Sequence, residues 1–296
     1  MIHGLGLALE ETLQYLGHTA PSYEQFERWI LEKTGGHLAP DRVERINATI
    51  SGAAYSESLQ NALKEIEESE PVLTPEDMAF WGENGYVVVH DAVPYDNCLA
   101  AEQAVWEFLG MDAEDPDTWY QRQDSCGIMA QFFHHPALTA NRSSRRIHKA
   151  FAQIWGTADL WMSIDRVSFN PPEREGWPFP GPHLHWDTRL ALPIPFDVSG
   201  LLYLTDTTAE QGAFTCVPGF HRRIADWLQS LPPDVNPRTQ DLERLGPTPI
   251  AGKAGDLIIW DRALPHGSRP NHADRPRIVQ YITMYSSKVK PSSKWR

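Results

Sequence analysis

Residues 256–285, DLIIWDRALPHGSRPNHADRPRIVQYITMY, begin and end with a short run rich in β-branched and aromatic residues. The connection between the two runs contains Pro265, Gly267 and Pro270, and this punctuation predicts a strand, a loop and a second strand. From residue 161 onward, three similar runs precede them, namely WMSIDRVSF, SGLLYLTD and GAFTCVP. Short strands between Pro- and Gly-rich connections are typical of an antiparallel sandwich or barrel.

Two connections in this β-rich half are candidates for the walls of a binding site. Residues 171–182, PPEREGWPFPGP, hold five prolines in twelve residues, and proline cannot donate a hydrogen bond to a β-ladder. We therefore expect a loop there, at the rim of the sheets. Residues 222–252 are long and polar after a short helical piece near residues 225–228, and loops of this length are commonly lids or entrance loops.

The first 70 residues are predicted to be helical. Their apolar residues recur at helical spacing, for example at Leu5, Leu9, Leu13 and Leu16. We expect residues 1–72 to form a helical N-terminal extension packed on the core.

The second part of the chain, residues 73–296, is expected to form one β-rich domain. Ser22 with Gln25, and Thr74 with Asp77, have the spacing of capping boxes that begin helices. After Gly85, the run YVVV predicts a short strand, and a helix is predicted over about residues 95–109.

The charge composition of the chain limits the classes of molecule that it is expected to bind. The chain has 26 Lys and Arg against 39 Asp and Glu, a formal net charge of −13. This charge disfavours binding to the phosphates of nucleic acid and to anionic membranes, so we expect a small-molecule partner and neither of the other two. A monomer or a homodimer is expected.

The expected compartment is the cytoplasm. Cys98, Cys126 and Cys216 are far apart, and their odd number fits reduced thiols better than a disulfide framework. The N-terminus lacks a basic start, and the sequence has no apolar run of about 18 residues, so neither export nor a membrane anchor is expected.

The residues with the clearest chemistry follow the proline-rich connection. His185 and Asp187 are two apart on a chain expected to be extended, so their side chains should point to one face. Two imidazoles and one carboxylate can form the facial triad that binds iron(II) and leaves positions open for co-substrate and oxygen. His266, after the run DLIIWD, is the candidate for the second imidazole. A lone His-x-Asp is common by chance, so the assignment of these residues as metal ligands depends on the surrounding sequence.

Those surroundings resemble the phytanoyl-CoA dioxygenase family, which includes ectoine hydroxylases. Residues 255–277, GDLIIWDRALPHGSRPNHADRPR, resemble the family's distal motif. Residues 212–221, GAFTCVPGFH, are close to its Gly-x-x-x-x-x-Pro-Gly-Ser-His turn, here with Phe220 in place of serine. Residues 204–206 and 73–91 also look like family segments. The resemblance covers about residues 73–286.

The resemblance implies a fold, a metal and a co-substrate. The implied fold is an all-β core with helices (α+β), a double-stranded β-helix of the jelly-roll or cupin-like kind. His185, Asp187 and His266 match the family's iron(II) ligands. The reaction would use 2-oxoglutarate as co-substrate together with O2.

The same resemblance suggests residues for 2-oxoglutarate. Arg277, eleven residues after His266, matches the arginine that pairs with the far carboxylate, and Ser268 matches a hydroxyl that donates to it. A buried dicarboxylate needs a permanently charged fork, which arginine presents. Arg275 is the rival of Arg277.

Other polar residues are weaker candidates. Ser168 and Asn170, on the strand before the proline-rich loop, are candidates for the keto-acid end, with solvent-facing strand positions as the alternative. His183 is an alternative to His185, but the residue two positions after it is then a histidine and not an acid. Trp186, between the two proposed ligands, is expected to face the other way and pack.

The function implied is oxidation, most simply hydroxylation, of an unactivated carbon of a small molecule, with release of succinate and CO2. Related halogenases have a small residue where Asp187 stands, which opens a position for chloride. Two alternatives stay open: an inactive small-molecule binding protein on the same fold, and a cupin-type metal enzyme that does not use 2-oxoglutarate. Both have less reason to retain Ser268 and Arg277.

Overall fold

The computed structural model describes residues 2–120 and 127–287, so Cys126 lies outside the described residues. The first 70 residues are helical, as predicted, and contain α1 (Leu9–Thr19), α2 (Tyr23–Lys33), α3 (Pro40–Ser51) and α4 (Glu57–Glu68). The capping box of Ser22 and Gln25 forms at the start of α2, since each side chain bonds the backbone N–H of the other residue.

The next helices support the sheets. They are α5 (Pro75–Asn84), α6 (Tyr95–Leu109), α7 (Pro136–Arg142) and α8 (Arg145–Trp155). Thr74 and Asp77 form the second predicted capping box, at the start of α5. The sequence pattern placed α6 correctly, because a helix of 15 residues carries a strong local signal.

Eleven strands lie within the described residues. In chain order they are β1 (Tyr86–Val89), β2 (Met129–Ala130), β3 (Leu160–Met162), β4 (Val167–Asn170), β5 (Val198–Tyr203), β6 (Thr215–Cys216), β7 (Thr248–Pro249), β8 (Leu257–Asp261), β9 (His266–Gly267), β10 (Arg277–Tyr281) and β11 (Met284–Ser286). A further helix, α9 (Ile224–Ser230), lies between β6 and β7.

Two antiparallel sheets form the core. The larger has the strand order β1-β8-β5-β10-β4-β2, and the smaller has the order β7-β6-β9. Leu257 and Ile259 of β8 pack in the cluster that includes the helices, whereas Ile258 and Trp260 pack in the cluster shared with the smaller sheet. The period of two therefore gives the larger sheet one face toward the helices and one toward the smaller sheet.

Two predicted runs are split. Residues 161–169 contribute to β3 and β4, and residues 276–285 divide into β10 and β11. The reason is a change of partner: Tyr281 pairs with Leu201 of β5, whereas Met284 pairs with Met162 of β3. Strand propensity predicts an extended backbone without specifying its neighbours.

The two long connections differ from each other. Residues 171–182 contain no regular strand, as expected, and only an isolated bridge joins Arg174 and Trp177. Residues 222–252 are more ordered than a loop, with α9, short 3₁₀ turns at Pro237–Thr239 and Leu242–Leu245, and β7. Among the described helices, none has the length and apolar character needed to cross a membrane.

Candidate active site

A backbone pairing brings the two histidines together. His185 and His266 form an isolated antiparallel bridge, in which each N–H donates to the carbonyl of the other, at 2.8 and 2.9 Å. Their ring centroids are 4.8 Å apart. The extended chain expected at residues 185–187 is therefore a single bridge followed by a bend at Asp187.

Asp187 completes a group of three possible ligands. Its Oδ1 lies 3.4 Å from Nε2 of His185, and its Oδ2 lies 3.3 Å from Nε2 of His266. The three ligand atoms lie within 4.8 Å of one another, although 79 residues separate Asp187 from His266. Donor atoms about 2 Å from one metal ion lie roughly 3 Å apart, so small adjustments suffice to bind an ion.

The hydrogen bonds of the two Nδ1 atoms determine the tautomers of His185 and His266. Nδ1 of His185 donates to the carbonyl of His183 at 2.7 Å, and Nδ1 of His266 donates to the carbonyl of Leu264 at 3.0 Å. In a neutral imidazole this leaves the lone pair on Nε2, which is the atom that faces Asp187. Such carbonyl contacts orient histidine ligands of metals and increase their basicity.

The electrostatics of this group favour a divalent cation. Burial raises the pKa of the Asp187 carboxyl, but the His185 and His266 imidazoles outweigh burial and hold that pKa well below its usual range. Burial lowers the pKa of His266 more than Asp187 raises it, which favours the neutral ring. For His185, burial is outweighed by the contact with Asp187, and its pKa is raised. One carboxylate and two imidazoles fit the donor set of a facial iron(II) site.

A buried arginine lies next to this group. Arg277 is fully buried, and it donates to Ser268 Oγ at 3.0 Å and to Ser168 Oγ at 2.8 Å. Its Nε has no hydrogen-bond partner, and none of the ion pairs among the described residues involves it. Burial lowers the pKa of Arg277. A buried positive charge without a carboxylate partner is costly, and an anionic ligand would compensate it.

The rival arginine is placed differently. The Arg275 side chain is 55% exposed and contacts Glu114 and the carbonyl of Ala113 at the surface. Burial and position therefore separate the two arginines, which are only two residues apart. Arg277 is the buried one of the two, although it is not itself among the residues that line the cavity.

The remaining predicted residues fall into two groups. Ser268 lines the cavity beside His266, and Ser168 contacts Arg277 from β4. Asn170 is buried and donates to the carbonyl of Arg269, and it is not among the residues that line the cavity. Trp186 packs as predicted, with its Nε1 donating to the carbonyl of Ala263.

A cavity of about 690 Å³ lies over the three possible ligands. This volume is in the range of sites for small molecules. Its walls include residues of the strands and of the segments between them, and a set from the N-terminal extension: Met129, Phe133, Ser163, Asp165, Arg166, Phe214, Trp260, Arg262, Tyr281 and Tyr285, with Leu9, Glu10, Leu13 and Gln14.

The residues that line the cavity correct the expectation that residues 171–182 and 222–252 form its walls. Residues 222–252 contribute none of the residues that line this cavity, and residues 171–182 contribute only Pro182. The extension, for which the sequence indicated no role, supplies a wall instead. The sequence signal was present as the leucines of α1, but helical spacing does not say which surface an apolar face meets.

Two facing antiparallel sheets with a His-Asp-His group between them define the class of mononuclear non-haem iron(II) oxygenases. The chain belongs to the phytanoyl-CoA dioxygenase (PhyH) family, whose model matches residues 81–279. It is a non-haem dioxygenase that depends on iron(II) and 2-oxoglutarate, as the motifs predicted.

Similar curated proteins agree with this family. A Dictyostelium discoideum protein named after phytanoyl-CoA dioxygenase is 20% identical over 269 residues, which cover 73% of this chain and 77% of the relative. An ectoine dioxygenase of Sphingopyxis alaskensis is 22% identical over 230 residues, covering 69% and 73% of the two chains.

Solved structures share the fold. EctD from S. alaskensis with bound Fe has a TM-score of 0.53 at 17% identity and covers 74% of this chain and 78% of its own. HygX from Streptomyces hygroscopicus, with nickel and 2-oxoglutarate bound, has a TM-score of 0.52 at 15% identity, with 74% and 89% covered. The predicted jelly-roll core with flanking helices is confirmed.

Proposed function

We propose that His185, Asp187 and His266 hold iron(II), and that Arg277 and Ser268 bind the far carboxylate of 2-oxoglutarate. The observation that carries this proposal is the buried guanidinium of Arg277, which has no carboxylate partner among the described residues and donates to Ser268, a residue that lines the cavity. A dicarboxylate fits both features, because one end can chelate a metal while the other pairs with arginine.

Each residue then has a defined task. The carbonyls of His183 and Leu264 hold the two imidazoles with Nε2 toward the metal position. Ser168 and Ser268 fix the plane of the Arg277 guanidinium, which orients the co-substrate. When bound, iron(II) supplies the centre at which O2 is reduced as 2-oxoglutarate loses CO2 and becomes succinate.

Hydroxylation of an unactivated carbon is the outcome that we propose. Asp187 supports it, because a carboxylate at that position leaves no place for the halide that halogenation needs. The relatives named ectoine dioxygenase support a small polar or amphipathic substrate. Fold neighbours described as a carbocyclase and an epimerase make cyclisation and epimerisation the alternative outcomes.

We further propose a cytoplasmic protein that works as a monomer or homodimer and does not bind nucleic acid. The net charge of −13 supports the last point, since it opposes association with phosphate backbones. Ser168 and Asn170 were the candidates for the keto-acid end. The contact between Ser168 and Arg277 supports a role for Ser168 beside the far carboxylate instead, and Asn170 stays a candidate for the keto-acid end.

The test compares Arg277→Leu with Arg275→Leu under anaerobic conditions. Iron(II) with 2-oxoglutarate gives the weak visible band of a chelated keto acid, which reports binding. Removing a charge-assisted partner costs on the order of 2 to 5 kcal/mol, so Arg277→Leu should weaken 2-oxoglutarate binding roughly 30-fold or more. Arg275→Leu should bind it like the wild type, because Arg275 is a surface residue. The reverse pattern would show that the wrong arginine has been assigned.

A further inference from the structure

Two of the three leucines of helix α1 line the cavity and are not buried in the core. Leu9 and Leu13, one helical turn apart, line the cavity and are 46% and 56% exposed. The buried residue of α1 is Thr12. An apolar pair left half-exposed on a concave wall gains free energy when a ligand covers it.

Polar groups flank these leucines. Glu10 forms an ion pair of 2.6 Å with Arg166, which ties α1 to the sheets. The carbonyl of Arg166 accepts the N–H of Tyr281, on the same face of β10 as Arg277. The α1 residues thus line the same cavity as His185, Asp187 and His266, and Arg166 connects them to β10.

The charges of the cavity are largely compensated. Arg166 pairs with Glu10, and Arg262, the other arginine that lines the cavity, pairs with Asp197 at 2.7 Å. Asp165, also on the wall, lies 3.6 Å from Arg166. An anionic substrate would therefore have to compete with Glu10, Asp165 or Asp197 for these arginines, since each lining arginine already has a carboxylate.

We propose that α1 is the specificity wall of this enzyme, and that its substrate is an amphipathic small molecule without net negative charge. The apolar part of the substrate packs on Leu9 and Leu13, and its polar group lies beside the pair of Glu10 and Arg166. The inference rests on the proposed function for the position of the reacting carbon. Residues 9–19 lie outside the family match at 81–279, so this wall belongs to the chain's own extension.

A matched pair of probes tests the class of ligand. N-phenyl-1-naphthylamine is neutral and fluoresces in apolar sites, and 8-anilinonaphthalene-1-sulfonate has the same ring system with a negative charge. Binding of each is titrated by fluorescence with iron(II) and 2-oxoglutarate bound, without oxygen. The neutral probe should bind at least about fivefold more tightly, because the lining arginines are compensated. Tighter binding of the sulfonate would overturn the assigned class.

A matched pair of variants tests the place of binding. Leu13→Gln should weaken the neutral probe about five- to tenfold, since it removes apolar contact area from the wall. Leu16→Gln is the control, because Leu16 lies on the same helix, is 37% exposed and does not line the cavity. Both substitutions keep a good helix former. Equal weakening of probe binding in the two variants would refute the proposal, and so would a wild type that does not bind the neutral probe. A wild-type homodimer that Leu13→Gln converts to a monomer, measured by size-exclusion chromatography, would also refute it.

Turnover separates this inference from the function on which it rests. A substrate found by its acceleration of succinate formation should show a higher KM with Leu13→Gln, at unchanged kcat and unchanged KM for 2-oxoglutarate. An unchanged KM for that substrate in Leu13→Gln would refute the role of α1 and would leave the proposed function standing. A wild-type protein that forms no succinate would refute the proposed function, while probe binding would still report on α1.

Discussion

At the scale of single residues, Asp187 is the one carboxylate in the group of three possible metal ligands. Its carboxylate lies within 3.4 Å of both ligand imidazoles, and the low pKa of its carboxyl keeps it charged at neutral pH. We expect the purified protein to take up about one iron(II) per chain without oxygen, and Asp187→Ala to lose most of that uptake.

The control for this experiment is another acid of the same cavity. Asp165 lines the cavity but does not belong to the group of possible ligands, so Asp165→Ala should bind iron(II) like the wild type. Metal content is measured after removal of unbound iron. Undiminished uptake by both Asp187→Ala and His266→Ala would contradict the assignment of the ligands.

A second residue-scale prediction concerns two thiols. Burial raises the pKa of Cys98 to about 12, with Glu102 and Asp256 adding to the effect, and burial alone raises the pKa of Cys216 to about 12. Only the thiolate reacts with iodoacetamide, so both side chains should stay protonated and unmodified at pH 8 in the folded protein. Mass spectrometry should find them alkylated only after denaturation. Rapid labelling of Cys98 or Cys216 in the folded protein would contradict the burial of that thiol.

At the scale of elements, local chemistry accounts for what the sequence could predict. The strand Tyr86–Val89 and the helix Tyr95–Leu109 were placed correctly, because turn residues bound them and their apolar periodicity is local. The extended run at residues 185–187 was only partly right, since the bridge with His266 ends before Asp187. Backbone pairing between distant segments has no local signal.

The same limit explains the misplaced wall. Residues 222–252 were expected to cover the site because they form a long connection, but they fold into short helices and turns that do not line the cavity. Arg238 of this segment instead donates to the carbonyls of Trp186 and Thr188, on either side of Asp187. Helix α1 was predicted as a helix, yet its surface toward the cavity follows from tertiary packing. Motif spacing, in contrast, selected three residues that the structure brings together, His185, Asp187 and His266, because the chemistry restricts the residue types at those positions. The role of Arg277 stays a prediction.

The capping box of α5 gives an element-scale prediction. Thr74 accepts the N–H of Asp77 at 3.1 Å, and the Asp77 carboxylate accepts the N–H of Thr74 at 2.9 Å. Thr74→Ala should lower the free energy of unfolding by about 1 kcal/mol and the Tm by about 2 °C, measured by calorimetry. Ser230→Ala, at the exposed end of α9, should stay within about 0.5 kcal/mol of the wild type. Equal losses in the two variants would mean that the cap does not stabilise α5.

At the scale of the whole molecule, distant parts of the chain build one site. The three possible metal ligands come from the isolated bridge at His185, from Asp187 after it, and from β9. The arginine proposed for the co-substrate comes from β10, and α1 supplies residues that line the cavity. Because the site needs all of these segments, the cavity should be lost when the chain unfolds globally.

The last prediction concerns the reaction of the assembled site. Since Asp187 occupies the ligand position that a halide would need, chloride should neither enter the product nor change its identity. With ¹⁸O₂, succinate should carry one labelled oxygen, and a hydroxylated product should carry another. Omitting 2-oxoglutarate should abolish turnover, because its oxidation to succinate and CO2 supplies two of the four electrons that reduce O2. Mass spectrometry distinguishes these outcomes, and a chlorinated product, or turnover that persists without 2-oxoglutarate, would contradict the roles given to Asp187 and Arg277.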